Sequence, residues 1–189
     1  MSDPALESTR RRLTAKQADT VDRLGRAAVD LLNRDGFANL TVRRVAAEAG
    51  VGAATAYTYF SSKEHLVAEV FWRRLAGAPP ATHESDDSAS RVVDVLSHIA
   101  LLVADEPEFA GAVTSALLGR DPDVEVLRQR IGRDIRDRLT AALQPRADPD
   151  VIDSLEMLYS GALVRAGMGY SSYTEIAARL EKSARLMLG

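Results

Sequence analysis

Apolar residues recur along this chain at spacings of three and four rather than two, so the pattern predicts helices and no strands. Over residues 16–34, Val21, Leu24, Ala28 and Leu31 fall on one stripe, and Asp35-Gly36 ends the helix with a residue suited to a left-handed cap. Thr41 opens a short helix with Val42, Val45, Ala46 and Ala49 facing inward, and Gly50 closes it after little more than two turns. A third short helix is predicted from about Gly52 to Tyr59. Ser61-Ser62-Lys63-Glu64 carries an S-x-x-E capping box, which predicts a fourth helix through Leu66, Val70, Phe71 and Trp72 to about Ala76. Residues 77–90, paired prolines followed by small and acidic residues, read as a linker. Longer helices follow: over 91–104, from an Asp105–Glu108 cap to about Leu118, and over 123–143, 150–168 and 174–188. The expected class is all-α, in two domains, 1–76 and 77–189.

Charge divides the chain at the same place. Residues 1–76 hold 12 Lys+Arg against 9 Asp+Glu, a net of +3, whereas residues 77–189 hold 12 against 18, a net of −6. A basic front on an acidic body predicts a polyanionic partner at one end only. Composition then removes other chemistries. With no cysteine, disulfides, thiolate metal sites and thiol catalysis are excluded together. His65, His83 and His98 are scattered, and no Glu is followed three residues later by His, so a di-iron bundle lacks its usual ligand pair. Asp105, Glu106 and Glu108 read as helix capping rather than metal ligands. No nucleophile elbow, P-loop or dinucleotide fingerprint occurs, so no enzyme, metal or cofactor is expected. No run reaches about 18 apolar residues and the N-terminus lacks an apolar signal core, so the expectation is a cytoplasmic protein without membrane contact.

Residues 41–60 have the spacing of a helix-turn-helix, whose second helix enters the DNA major groove. Gly52, Ala53 and Ala54 keep its leading face slim, and alanine methyls can meet thymine methyls. Thr55, Tyr57, Thr58 and Tyr59 offer hydroxyls, and Lys63 sits where the next helix begins. An ordinary helical corner has the same spacing. The basic flanks favour DNA: Arg43 and Arg44 open the preceding helix, and Arg10-Arg11-Arg12 with Lys16 form an N-terminal arm.

The stretch LTVRRVAAEAGVGAATAYTYFSSKEHL, residues 40–66, resembles the signature of the tetracycline-repressor (TetR) family of bacterial transcription regulators. The match covers about residues 17–66 and includes Phe37, Thr41, Val45, Ala46, Ala49, Gly50, Val51, Thr55, Tyr57, Tyr59, Phe60, Lys63 and Leu66. The resemblance implies an N-terminal three-helix DNA-binding domain and a C-terminal helical domain for ligand binding and dimerisation. It puts Thr41, Tyr57, Tyr59 and Lys63 at backbone-contacting positions, and Arg43, Ala53, Ala54, Thr55 and Thr58 at base-facing ones. Many members carry serine where this chain has Gly52 and a polar residue where it has Ala53. Gly52 then lacks a side-chain cap, and more of the base readout falls to Arg43, Thr58 and shape.

In the second half, Trp72, His98, Phe109, Met157, Tyr159 and Met168 are candidate pocket residues, although core packing accounts for each equally well. Ile152, Leu155, Ala162 and Ala166 on one predicted helix, with Ile176, Leu180, Ala184 and Met187 on the last, form apolar stripes assigned to a two-fold dimer interface. The expected function is a ligand-responsive repressor that binds a palindromic operator as a homodimer and is released by a small apolar or amphipathic effector. An activator, a ligand-independent regulator, and a helical enzyme or lipid carrier are the alternatives.

Overall fold

A computed structural model describes residues 14–79 and 87–189 of the chain. The Arg10-Arg11-Arg12 arm, His83 and most of the proline-rich linker lie outside the described residues. Those described are helical without a strand, in α1 (Ala15–Asp35), α2 (Val42–Glu48), α3 (Ala53–Tyr59), α4 (Lys63–Gly77), α5 (Ser88–Leu101), α6 (Pro107–Leu118), α7 (Pro122–Leu143), α8 (Pro149–Gly167) and α9 (Tyr173–Leu188). No described helix is long and apolar enough to cross a membrane.

Caps explain where the boundaries depart from the periodicity. Thr14 starts α1 through a reciprocal box with Gln17: the Thr14 hydroxyl accepts the Gln17 N–H at 3.4 Å, and Gln17 Oε1 accepts the Thr14 N–H at 2.8 Å. α5 begins three residues before the apolar run because Asp87 accepts the N–H groups of Ala89 and Ser90 at 3.2 and 3.0 Å. α6 begins at Pro107, later than an Asp105 cap would place it. At α4 the expected Ser61–Glu64 box does not form. The helix starts at Lys63, so Ser62 is the cap and accepts the His65 N–H at 2.9 Å. Gly36 ends α1 at φ +73°, ψ 166°, a conformation open to glycine but not the left-handed helical one expected.

The chain divides into two compact units. One comprises residues up to Gly77 together with Glu108–Gln129; the other comprises Ala78–Pro107 and Arg130–Gly189. The division is therefore not a single cut after residue 76. α4 runs through Gly77, and α6 and the start of α7 return to the first unit. There Arg74 stacks on the Phe109 ring, its Cζ 4.4 Å from the centroid. In the first unit α1 packs on α2 and α4, and α2 on α3. Its interior holds Leu24, Leu32, Leu40, Phe60, Leu66 and Leu75, each worth about 1.5–3 kcal/mol when removed from water. Gly25 lets α1 and α4 lie close, since a Cβ there would stand 3.2 Å from Val70 Cγ2. In the second unit α9 packs against both α5 and α8, and Arg136 joins α7 to α8 by bonds of 2.6 and 2.7 Å to Asp153 and Glu156.

Candidate nucleic-acid interface

α2, a tight turn and α3 form the predicted helix-turn-helix. Thr41 caps α2, its hydroxyl accepting the Arg44 N–H at 3.2 Å. Val42, Val45 and Ala46 bury one face of α2. The turn needs Gly50, which sits at φ +63°. Its N–H donates to Ala47 O at 3.2 Å and that of Val51 to Ala46 O at 2.8 Å, the paired bonds of a Schellman ending. Gly52 then opens α3 with extended backbone and no side-chain cap, as the departure from the family pattern implied. Ala56, Tyr59 and Phe60 anchor α3 inward.

The other side of the motif is open. Thr41, Arg43, Gly52, Ala54, Thr55, Tyr57 and Thr58 are exposed and Ala53 is half-buried, so the first turn of α3 presents no bulky side chain. The two neighbouring arginines have separate duties. Arg44 is engaged within the fold: its guanidinium donates to Asn39 O at 2.6 Å and pairs with Asp35. Arg43 is exposed and, among the described residues, makes no hydrogen bond or ion pair. The Thr58 hydroxyl donates to Thr55 O at 2.6 Å, which leaves its oxygen lone pairs and methyl to face outward.

Two predicted contacts stand differently. Tyr59 is only 5% exposed and packs beside Phe60, so its ring belongs to the core rather than to the open face. The alternation of Tyr57 and Tyr59 hid this, because two residues on a helix differ by 200° and only one can face out. Lys63 is half-buried. Its ammonium donates to Phe37 O at 2.9 Å and lies 4.3 Å from the Phe37 ring centroid, leaving two of its three N–H bonds for other acceptors.

The predicted pocket and dimer residues are redistributed. Ile152, Leu155 and Ala166 on α8, and Ile176, Leu180 and Ala184 on α9, are buried within their own unit, so they pack its core and are not free to meet a partner. Ala162 is half-buried and Met187 exposed. Met157 and Met168, assigned to a pocket, are instead 69% and 65% exposed. Met157 on α8 and Met168 just past its end lie opposite the inner stripe, together with exposed Gly161 and half-buried Val164. Trp72 and Phe109 are buried in the first unit; His98 and Tyr159 belong to the second. Among the described residues, the buried atoms Trp72 Nε1, His98 Nε2 and the Tyr159 hydroxyl find no hydrogen-bond partner. Burial holds the Tyr159 hydroxyl well above its ordinary range, with Tyr173 adding to the shift, so it stays protonated. Among the described residues no cluster of acidic and histidine side chains could hold a metal ion.

Residues 25–70 match the family model for bacterial regulatory proteins of the tetR family. An uncharacterized HTH-type transcriptional regulator of Mycobacterium tuberculosis is 46% identical over 189 residues, covering 99% of this chain and 88% of its own. A TetR transcriptional regulator from Rhodococcus sp. RHA1 superposes with a TM-score of 0.71 at 22% identity, covering 88% of this chain and 96% of its own. FadR of Thermus thermophilus, a TetR family transcriptional repressor solved in complex with lauroyl-CoA, gives a TM-score of 0.61 at 24% identity, with 89% and 93% covered. These likenesses cover the segment that the signature marked and also the helices that follow it in the chain, and the chain belongs to the TetR family of bacterial regulatory proteins: it is a DNA-binding transcriptional regulator, not an enzyme.

Proposed function

We propose that this regulator is a cytoplasmic repressor that grips a palindromic operator as a homodimer and lets go when an amphipathic small molecule binds its second unit. The observation that carries the operator reading is the exposed, unengaged Arg43 beside the slim start of α3. Arg43 reads a guanine edge, Ala53, Ala54, Thr55 and Thr58 meet bases by fit, and Thr41, Tyr57 and Lys63 hold phosphates. The dimer face is the outer stripe of α8, Met157, Gly161, Val164 and Met168, with Leu186 and Met187 of α9. An apolar surface this exposed has a use as an interface, and two-fold symmetry matches a palindrome.

For the effector, the buried unpartnered groups of the second unit, His98 Nε2 and the Tyr159 hydroxyl, support a ligand that brings a hydrogen-bond acceptor into an otherwise apolar interior. Fatty acyl-CoA is the first class to test, because the fold neighbour from Thermus thermophilus was solved with lauroyl-CoA. Selection from a randomised duplex pool by the purified chain tests the operator. Enriched sites should be palindromes with half-sites one helical turn, about 34 Å, apart. A pool that stays random after repeated rounds sinks the reading. Adding acyl-CoA of graded length to the selected complex tests the effector, and release is the expected result.

A further inference from the structure

Two aspartates distant from the reading helix in sequence hold the helix that follows it. Asp121 and Asp123 flank Pro122, the first residue of α7. Ser62 Oγ donates to Asp121 Oδ2 at 2.7 Å, and Ser61 Oγ donates to Asp123 Oδ2 at 2.5 Å. Ser62 and Asp121 are also caps. The Ser62 oxygen accepts the His65 N–H of α4, while Asp121 Oδ1 accepts the N–H groups of Asp123 and Val124 at 2.9 and 3.2 Å. The fully buried His65 ring completes the cluster. It stands edge-on to Phe60 at 5.6 Å, accepts the Ser61 N–H at Nδ1 and keeps that atom 3.8 Å from Asp123 Oδ2.

The arrangement brings the N-termini of α4 and α7 together. Both ends carry partial positive charge, so alone they repel. The two carboxylates between them supply the charge that both ends attract. Burial raises the Asp121 carboxyl, but the Ser62 hydroxyl, the N–H groups of Val124 and Asp123, and His65 outweigh it and hold the group below its ordinary range. Only residues 60–62 separate the end of α3 from the start of α4. With Phe60 buried and both serines tied, α3 has little freedom to turn.

We infer that Asp121 and Asp123 are positioning residues for operator binding, which set the attitude of α3 through Ser61 and Ser62. The helix that bears them runs on past Gln129 into the second unit. The inference rests on the operator reading above.

The test uses the full chain and the duplex that the wild type selects, with a scrambled duplex beside it, well below each variant's melting temperature. Asp121→Ala and Ser62→Ala should each bind the operator roughly tenfold more weakly, since each breaks a hydrogen bond to a charged group. The double variant should lose no more than the worse single one, because both remove the same link. Asp121→Asn keeps a carbonyl acceptor and should recover most of the loss. Losses that multiply in the double variant, or folded variants with wild-type affinity, overturn the inference. If Asp121→Ala does not fold, Ser62→Ala and Asp121→Asn decide it by the same criteria. A wild type that selects no duplex overturns the operator reading and this inference with it, whereas selection with indifferent variants overturns the latch alone.

Discussion

The α2–α3 motif and helix α8 both present side chains to solvent, yet their outward faces are specified in opposite ways. In α2–α3 the inward face is small except for Tyr59: Val42, Val45, Ala46 and Ala56 make up the rest. A turn that needs glycine locks it, so what faces outward follows from a few neighbouring residues. α8 carries two apolar stripes, Ile152-Leu155-Tyr159-Ala166 inward and Met157-Gly161-Val164 outward, the second continued by Met168 at the cap. Each alone fits a helix-packing face, and only the position of α9 decides which is core. A motif closed by local hydrogen bonds announces its surface; a helix between two apolar environments does not.

The sharpest way to break this comparison is to truncate one residue from each stripe of α8. Leu155→Ala should cost about 2–5 kcal/mol of stability, the cost of a core cavity, measured by denaturant unfolding. Met157→Ala should leave the unfolding free energy of the isolated subunit within about 0.5 kcal/mol, and should weaken self-association in sedimentation. Equal destabilisation by both would mean that the outer stripe is packed after all.

The next effect separates the two arginines of α2. Arg43→Ala should weaken the selected operator by roughly 1–3 kcal/mol, and a scrambled duplex much less, if its guanidinium reads a base. Arg44→Ala should instead lower the melting temperature, because it deletes the bonds to Asn39 O and Asp35. Binding isotherms on both duplexes, with melts alongside, separate the cases. Uniform loss for Arg43→Ala would make it a phosphate contact.

A smaller effect concerns acid. The Asp121 carboxyl is held below its ordinary value in the folded chain, so its contribution is full at neutral pH and is lost as pH falls through the lowered value, below about pH 4. Melting temperature should therefore drop less steeply over that range in Asp121→Asn than in the wild type. The smallest effect belongs to Lys63, whose ammonium is shared with Phe37 O. Lys63→Ala should weaken operator and scrambled DNA alike and lower the salt slope by about one unit per phosphate contact, doubled in a dimer.

Most helices were legible because their apolar periodicity is strong and their stops carry Gly36, Gly50 and paired prolines. The helix-turn-helix was legible as a motif. Within it Tyr59 was misjudged, since its hydroxyl suggested exposure while its helical position turned the ring inward. Lys63 and Arg44 carry cationic groups whose partners, Phe37 O and Asp35, are set by tertiary packing and leave no mark on local spacing. The Ser61–Asp123 and Ser62–Asp121 bonds join residues about sixty positions apart, across the linker. Only the acidic run beginning α7 could have hinted at them, and it has an equally good local use as a cap.

The return of residues 108–129 to the first unit bears on modularity. Swapping heads between related regulators is a natural way to rewire which genes answer to which signal, and the cut offered by the sequence falls after Ala76. A graft made there would bring Ser61, Ser62 and Arg74 without Asp121, Asp123 and Phe109, and would leave a basic reader seated on another protein's α6 and α7. The transferable module is discontinuous, and a chimera that keeps its DNA preference should need both pieces from the same parent.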